Sequence, residues 1–259
     1  MDRKGFYQRF NKYGEIDEFL LASIYENIDL CKEIEFPVYG NYFCPPIIWN
    51  TLNQMNIGIK CQYLGLNQDS EKKMICFYWE ESQKELIKFP AKYFTIKNKS
   101  KFKKLQHKDY LGTIMSLGIK RELMGDLIVK NDQCYGIISD SIFDFLKDNI
   151  DTIGRNPVEI EELTSLDIPT GEFEERVESI SSMRLDVIVS AFGNVSRNKA
   201  VEKIENGEVL VNYLAIKEKD FYLKIEDTVT IRKAGKFYLT EDLGMNKKGK
   251  NRILFKTFR

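Results

Sequence analysis

Apolar residues recur at helical spacing between positions 15 and 35, at Ile16, Phe19, Leu20, Ile24, Ile28 and Leu30. That spacing predicts one helix with a single buried face. Pro37 and Gly40 mark its end. Pro45 and Pro46 open a second helix through Met55, because proline is tolerated in the first helical turn. Residues 58–64 and 73–79 read as strands joined by a polar turn at 67–70. Together these elements predict a small α+β unit over residues 1–85.

The pattern then becomes more regular. A strand is predicted at 93–97 and a helix at 107–117, closed by Gly118. Strands at 127–130 and 134–138 flank Asn131 and Asp132 as a hairpin. A helix over 141–149 and a strand over 157–163 complete the order strand-helix-strand-strand-helix-strand. This is the split βαβ, ferredoxin-like order that RNA-recognition-motif domains also use. The stacking aromatics of a true RNA-recognition motif are missing from the strands at 127–130 and 135–139. Residues 86–165 are therefore expected to form a ferredoxin-like domain whose topology alone assigns no function.

Beyond an expected linker at 166–180, two short helices and a strand-rich segment are predicted. The first helix carries Leu185, Val187, Ile188 and Val189 behind Arg184, and Ser196 caps the second through its hydroxyl. Ala200, Val201 and Ile204 give that second helix its apolar face. Gly207 allows a tight exit into a strand at 208–212, and strands follow at 227–232 and at Ile253, Leu254 and Phe255. The fold class is α+β throughout, with domains at 1–85, 86–165 and 181–259.

Charge sharpens this division. The 259 residues hold 39 basic and 39 acidic side chains, so net charge is uninformative. By segment the sign varies. Residues 181–259 carry 16 Lys/Arg against 10 Asp/Glu, and residues 156–180 carry one against eight. Residues 86–155 carry 13 against eight, and residues 1–85 nine against 13. A basic C-terminal module behind an acidic connector is the arrangement expected of a terminal polyanion-binding domain.

Five scattered cysteines with no paired spacing suit a reducing compartment. One histidine, His107, offers no metal-ligand pattern. Neither a membrane-spanning apolar run nor a signal peptide is read. No cofactor is expected.

The candidate RNA contacts are Arg184, Ser196, Arg197, Lys199, Lys203, Asn212, Lys233, Lys236, Lys247, Lys248 and Arg252. Arg197 and Lys199 stand in the first turn of a helix, where a cation costs roughly 0.3–1 kcal/mol against the dipole. An RNA phosphate would reverse that sign. Lys199 and Lys203 are four apart and share one side of their helix. Asn212 can serve a turn or RNA equally. Lys247, Lys248, Lys250 and Arg252 form a glycine-flanked basic loop suited to a phosphate backbone. A second candidate surface comprises His107, Lys108, Lys120 and Arg121, with His107 open to a packing role.

Residues 183–237 resemble the RNA-binding module of ribosomal protein S-four, in which two short helices pack on a small bent sheet. Residues 107–112 (HKDYLG), 115–122 (MSLGIKRE) and Gly125 with Asp126 resemble the middle domain of the bacterial YlmH-type family. Members of that family also end in an S-four-type module. Cys44 precedes Pro45 where an acidic residue is expected in relatives, so no site is carried into that region. The resemblance implies a non-catalytic, monomeric cytoplasmic factor that binds large-subunit ribosomal RNA and peptidyl-tRNA. It further implies action in ribosome-associated quality control, supporting alanine tailing beside a tailing factor of the fibronectin-binding-protein-like class. By the same analogy Arg184, Arg197 and Lys199 contact RNA.

Two other readings stay open. S-four-type modules also occur on RNA-modifying enzymes, namely pseudouridine synthases and RNA methyltransferases, and Arg184-Leu185-Asp186 superficially resembles the synthase motif. Residues 1–180 lack the glycine-rich signature of a dinucleotide or methyl-donor site. A scaffold linked to cell division is the third reading.

Overall fold

The computed structural model describes residues 2–11, 16–100, 103–169 and 173–258. The chain divides into two compact units, Met1–Thr170 and Gly171–Arg259. In the first, α1 (Arg3–Asn11) and α2 (Glu18–Ile34) precede β1 (Val38–Cys44), α3 (Pro46–Asn53), β2 (Lys60–Leu64) and β3 (Lys73–Tyr78). The strands form an antiparallel sheet in the order β1-β3-β2.

Local chemistry explains these boundaries. Asp17 caps α2 by accepting from the Phe19 and Leu20 amides, and Glu35 ends it in a left-handed conformation. Two elements depart from expectation. The helix ends just before Pro37, as predicted, but the residues that follow form β1, which contains Gly40 and whose Tyr39 pairs with Cys76. The short helix α1 exposes mostly polar side chains, while Phe6 and Phe10, four apart, are buried in the core and Tyr7 packs against it.

The same unit continues with β4 (Ala91–Asn98), α4 (His107–Ser116), β5 (Met124–Lys130), β6 (Gln133–Ser139), α5 (Asp140–Asn149), β7 (Thr152–Ile153) and β8 (Asn156–Leu163). Its sheet runs β5-β6-β4-β8-β7, with every pairing antiparallel. This is the ferredoxin-like order. Asn131 and Asp132 both have positive φ, as a two-residue hairpin turn with the strands' twist requires.

Alternation along these strands separates two cores. Phe94, Ile96, Leu127, Cys134 and Ile138 face Tyr110, Ile114, Phe143 and Leu146 of the helices. Tyr93, Ile128 and Ile137 point the other way, onto Phe43, Leu66 and Met74 of the N-terminal sheet and its loop. The sheet face opposite the helices is thus packed against protein. Gly125 permits this approach, since a Cβ there would stand 2.5 Å from the Ile137 side chain and 3.2 Å from the Phe43 ring. Asp126 stitches the junction by accepting from the Glu71 and Lys72 amides at 2.7 and 3.1 Å.

The second unit contains β9 (Phe173–Ile180), α6 (Leu185–Phe192), α7 (Arg197–Glu205), β10 (Val209–Val211), β11 (Leu214–Ala215), β12 (Thr228–Ile231), β13 (Gly235–Met245) and β14 (Asn251–Phe258). Its sheet order is β11-β10-β12-β13-β14-β9. The acidic stretch expected as a linker at 166–180 is corrected here: part of it is an edge strand. β9 pairs with β14 from Ile180 opposite Asn251 onward. Its glutamates are those of an exposed edge, where charge discourages pairing with other chains, and Glu175 lies 4.0 Å from Lys256. Residues 170–172 of that stretch lie outside the described residues. Phe192 of α6 stacks on Phe255 with ring centroids 4.0 Å apart, anchoring the helices to the sheet.

Replacing Phe43 with Ala should destabilise the first unit by about 3–5 kcal/mol, the usual cost of emptying a buried aromatic site. Urea unfolding followed by Trp49 and Trp79 fluorescence checks this, and a change under ~1 kcal/mol would contradict the packing described.

Candidate nucleic-acid interface

Two helices of the second unit bring the leading candidates together. Leu185, Ile188, Val189 and Phe192 bury one side of α6, while Ala200 and Ile204 bury one side of α7. The start of α6 is fixed by backbone bonds from Leu185 to Phe221 and from Asp186 to Lys219, at 2.8 and 3.0 Å. Ser196 caps α7, its hydroxyl accepting from the Lys199 amide at 3.3 Å. Its role is therefore structural at the base of the cluster.

Asp186 organises what these helices display. The residue is only 2% exposed. Arg184 donates Nε to its Oδ1 at 3.1 Å and Nη2 to its Oδ2 at 3.4 Å. Arg197, eleven positions on, donates Nε to Oδ2 at 2.9 Å, and its Nη2 lies 2.8 Å from the same oxygen. Burial alone would raise the Asp186 pKa, but the two guanidinium groups outweigh it and hold the carboxyl below its ordinary range. Two cations around one anion leave a net positive charge. The arginine side chains stay 36% and 60% exposed, so each keeps N–H donors available to a phosphate.

Exposed Tyr222 adds an aromatic beside this pair, because its backbone bridges to that of Arg184. The sequence does not pick out Tyr222, and it picks out Asp186 only within the synthase-like Arg-Leu-Asp motif and not as a partner of the arginines. An acidic residue is not expected in an RNA-binding surface, and a lone tyrosine in a loop has no pattern to flag it.

The remaining candidates divide. Lys199 is exposed and held by Glu202 at 2.8 and 2.9 Å, an exposed pair of the weak kind that a phosphate can displace. Lys203 departs from expectation. It is largely covered and binds Glu208 at 2.7 Å, tying the end of α7 to the strand that follows. Asn212 is also a structural residue: in a left-handed turn, its amide bonds Asp227 at 2.7 Å and accepts from the Thr228 amide at 2.9 Å. Lys233 occupies the left-handed position of the β12–β13 turn. Lys236 lies 5.4 Å from the Tyr213 ring centre. Lys247, Lys248 and Lys250 are exposed at the β13–β14 hairpin tip, shaped by Asn246, which accepts from the Lys248 and Lys250 amides. Arg252 is exposed on the adjoining strand.

The second predicted surface divides between inward-facing and exposed side chains. Arg121 turns inward and donates Nη1 to the Met124 and Gly125 carbonyls at 2.8 and 2.9 Å, so it is a clamp on β5. Burial and the Arg121 charge push the His107 imidazole pKa down, keeping it neutral near pH ~7. Lys108 and Lys120 are exposed. Burial also raises the Cys44 and Cys76 thiols to about 12, which leaves them protonated and unreactive. Among the described residues no helix is long and apolar enough to cross a membrane.

Two families match the chain. "Putative RNA-binding domain in YlmH" covers residues 85–167, and "S4 domain" covers residues 183–229. The chain is 28% identical over 204 residues to "Ribosome-associated protein quality control protein P2" of Bacillus subtilis (strain 168), spanning 78% of this chain and 79% of the relative. It also aligns with the solved structure of "Cell division protein ylmH from Streptococcus pneumoniae" at a TM-score of 0.46 and 24% identity. That alignment covers 59% of this chain and 94% of the other.

Substituting Asp186 with Asn should lower stability by about 1–2 kcal/mol at neutral pH, since the arginines can rehydrate once released. The folded pKa lies below the ordinary 3.8, so the contribution is complete above that value and is lost as pH falls through the folded pKa. The gap between the urea midpoints of the two proteins should therefore narrow as pH falls below the ordinary carboxylate range, and a gap that does not narrow with falling pH would contradict the ion-pair assignment.

Proposed function

This chain belongs to the YlmH-type family of RNA-binding proteins with a C-terminal S-four-type domain, and from that premise we propose that it is a non-catalytic factor bound to the large ribosomal subunit. Its S-four-type module grips structured RNA through Arg184, Arg197 and Lys199, with Tyr222 beside them. The observation that carries this reading is the buried carboxylate of Asp186, which holds two arginines in register on one surface. Guanidinium groups fixed in this way meet phosphates without first losing side-chain freedom. Such contacts position a protein on RNA by shape and charge rather than by sequence.

The role named for the Bacillus subtilis relative, ribosome-associated protein quality control, supports a similar task here. On this reading the protein holds peptidyl-tRNA on split large subunits while a tailing factor of the fibronectin-binding-protein-like class extends the stalled chain with alanine. Its site of action is the cytoplasm. The basic hairpin of Lys247, Lys248 and Lys250 follows the phosphate backbone further along the RNA.

An RNA-modifying enzyme is disfavoured by the same geometry. The synthase-type nucleophile would be Asp186, yet its side chain is 3% exposed and both oxygens are occupied. A carboxylate so held cannot reach a base.

Replacing Arg184, Arg197 and Lys199 together with Ala should abolish co-sedimentation with large subunits, while circular dichroism shows the fold retained at a lower melting temperature. Wild-type binding should also weaken steeply with salt, by about 10³-fold between 50 and 200 mM if six phosphates are engaged. Undiminished co-sedimentation of the triple variant would refute the assignment.

A further inference from the structure

Within the central domain a lysine-rich stretch of sequence leads into α4, and its described residues 103–106 precede that helix directly. Their position is fixed at two points. The Lys103 carbonyl accepts from the Asn98 side-chain amide at 2.8 Å and from that of Asn156 at 2.7 Å. Asn156 is 3% exposed, and its amide also reaches Asn98 Oδ1 at 3.2 Å. Two positions later Leu105 enters the domain's core. Lys103 and Lys104 therefore stand exposed between two anchors, and Lys108 is exposed in the first turn of α4.

These lysines differ from their neighbours in pairing. Lys92, Lys97 and Lys99 of the adjoining strand and its exit each meet a glutamate of β8, namely Glu162, Glu161 and Glu159. Lys103, Lys104 and Lys108 make no ion pair with any described residue. Asp109, the carboxylate next in sequence, is turned back onto the Gln106 amide at 2.8 Å. The Asn98 and Asn156 side-chain amides thus hold Lys103 in place, and the charge of these lysines is left unpaired among the described residues.

The location matters because the usual nucleic-acid platform of this topology is occupied. RNA-recognition domains stack bases on the sheet face away from their helices. Here Tyr93, Ile128 and Ile137 of that face pack on Phe43, Leu66 and Met74. Any RNA held by this domain must meet it elsewhere. We propose that the anchored loop and helix start, through Lys103, Lys104 and Lys108, form a second RNA-binding site that takes the phosphate backbone without reading bases. This inference rests on the reading above that the chain binds RNA, but on a separate surface.

The test uses the full chain with purified large ribosomal subunits as the probe, measuring affinity between 50 and 200 mM salt. Each phosphate contact contributes roughly 0.7–0.9 to the log–log salt slope. The variant K103A/K104A/K108A should lose about two units of slope and bind at least about tenfold more weakly at 0.1 M salt. The variant K103R/K104R/K108R should keep the wild-type slope. An unchanged slope in the alanine variant overturns the proposal. So does weaker binding at an unchanged slope, which would indicate a protein surface as the partner. The variant R184A/R197A, run in parallel, tests the S-four-type site alone. If it binds normally while the lysine variant does not, the earlier reading fails and this one stands.

Discussion

A buried carboxylate bound by two surface arginines is the constraint on which the C-terminal module's display depends. Asp186 is removed from water at the start of α6, and it remains ionised because Arg184 and Arg197 surround it. Burying an unpaired carboxylate is costly, so the arginines add to the stability of the fold as well as standing available to a ligand. The same contact joins the first turns of α6 and α7, which otherwise meet through apolar packing around Ile188, Ala200 and Ile204. One interaction thereby sets the spacing of the helices and the positions of two cations.

The N-terminal unit imposes a second constraint. By covering the central sheet with Phe43, Leu66 and Met74, it converts a familiar RNA platform into an internal interface. The domain keeps the ferredoxin-like strand order while its exposed chemistry moves to loops and helix ends. The lysine–glutamate pairs between β4 and β8 have a similar effect, because they neutralise the strand surface that remains. The order of elements therefore does not by itself fix which surface stays open.

Much of this was legible in the sequence, for reasons that are local. The Ser196 cap, the Asn131–Asp132 hairpin and the apolar faces of α2, α4 and α7 depend on residues within one or two turns of each other. What escaped depends on distant partners. α1 is a helix because Phe6 and Phe10 find the core of α2 and its neighbours, and its own pattern is too short to announce it. β9 is a strand because β14 pairs with it, whereas its glutamates read as a solvated connector. Lys203 is taken by Glu208, and Asn212 by Asp227 and Thr228, so neither is as open as its residue type suggested. Asp186 was visible as part of a motif, but its bond to Arg197 was not.

If the arginine-bearing module places the chain on tRNA-bearing large ribosomal subunits, as proposed, those particles should accompany it out of the cell. The direct measurement is to purify the tagged protein under gentle conditions and identify the ribosomal particles and RNA that come with it. Large subunits carrying tRNA and depleted of small subunits are expected. Recovery of whole ribosomes alone, or of no ribosomal particle, would contradict the proposal.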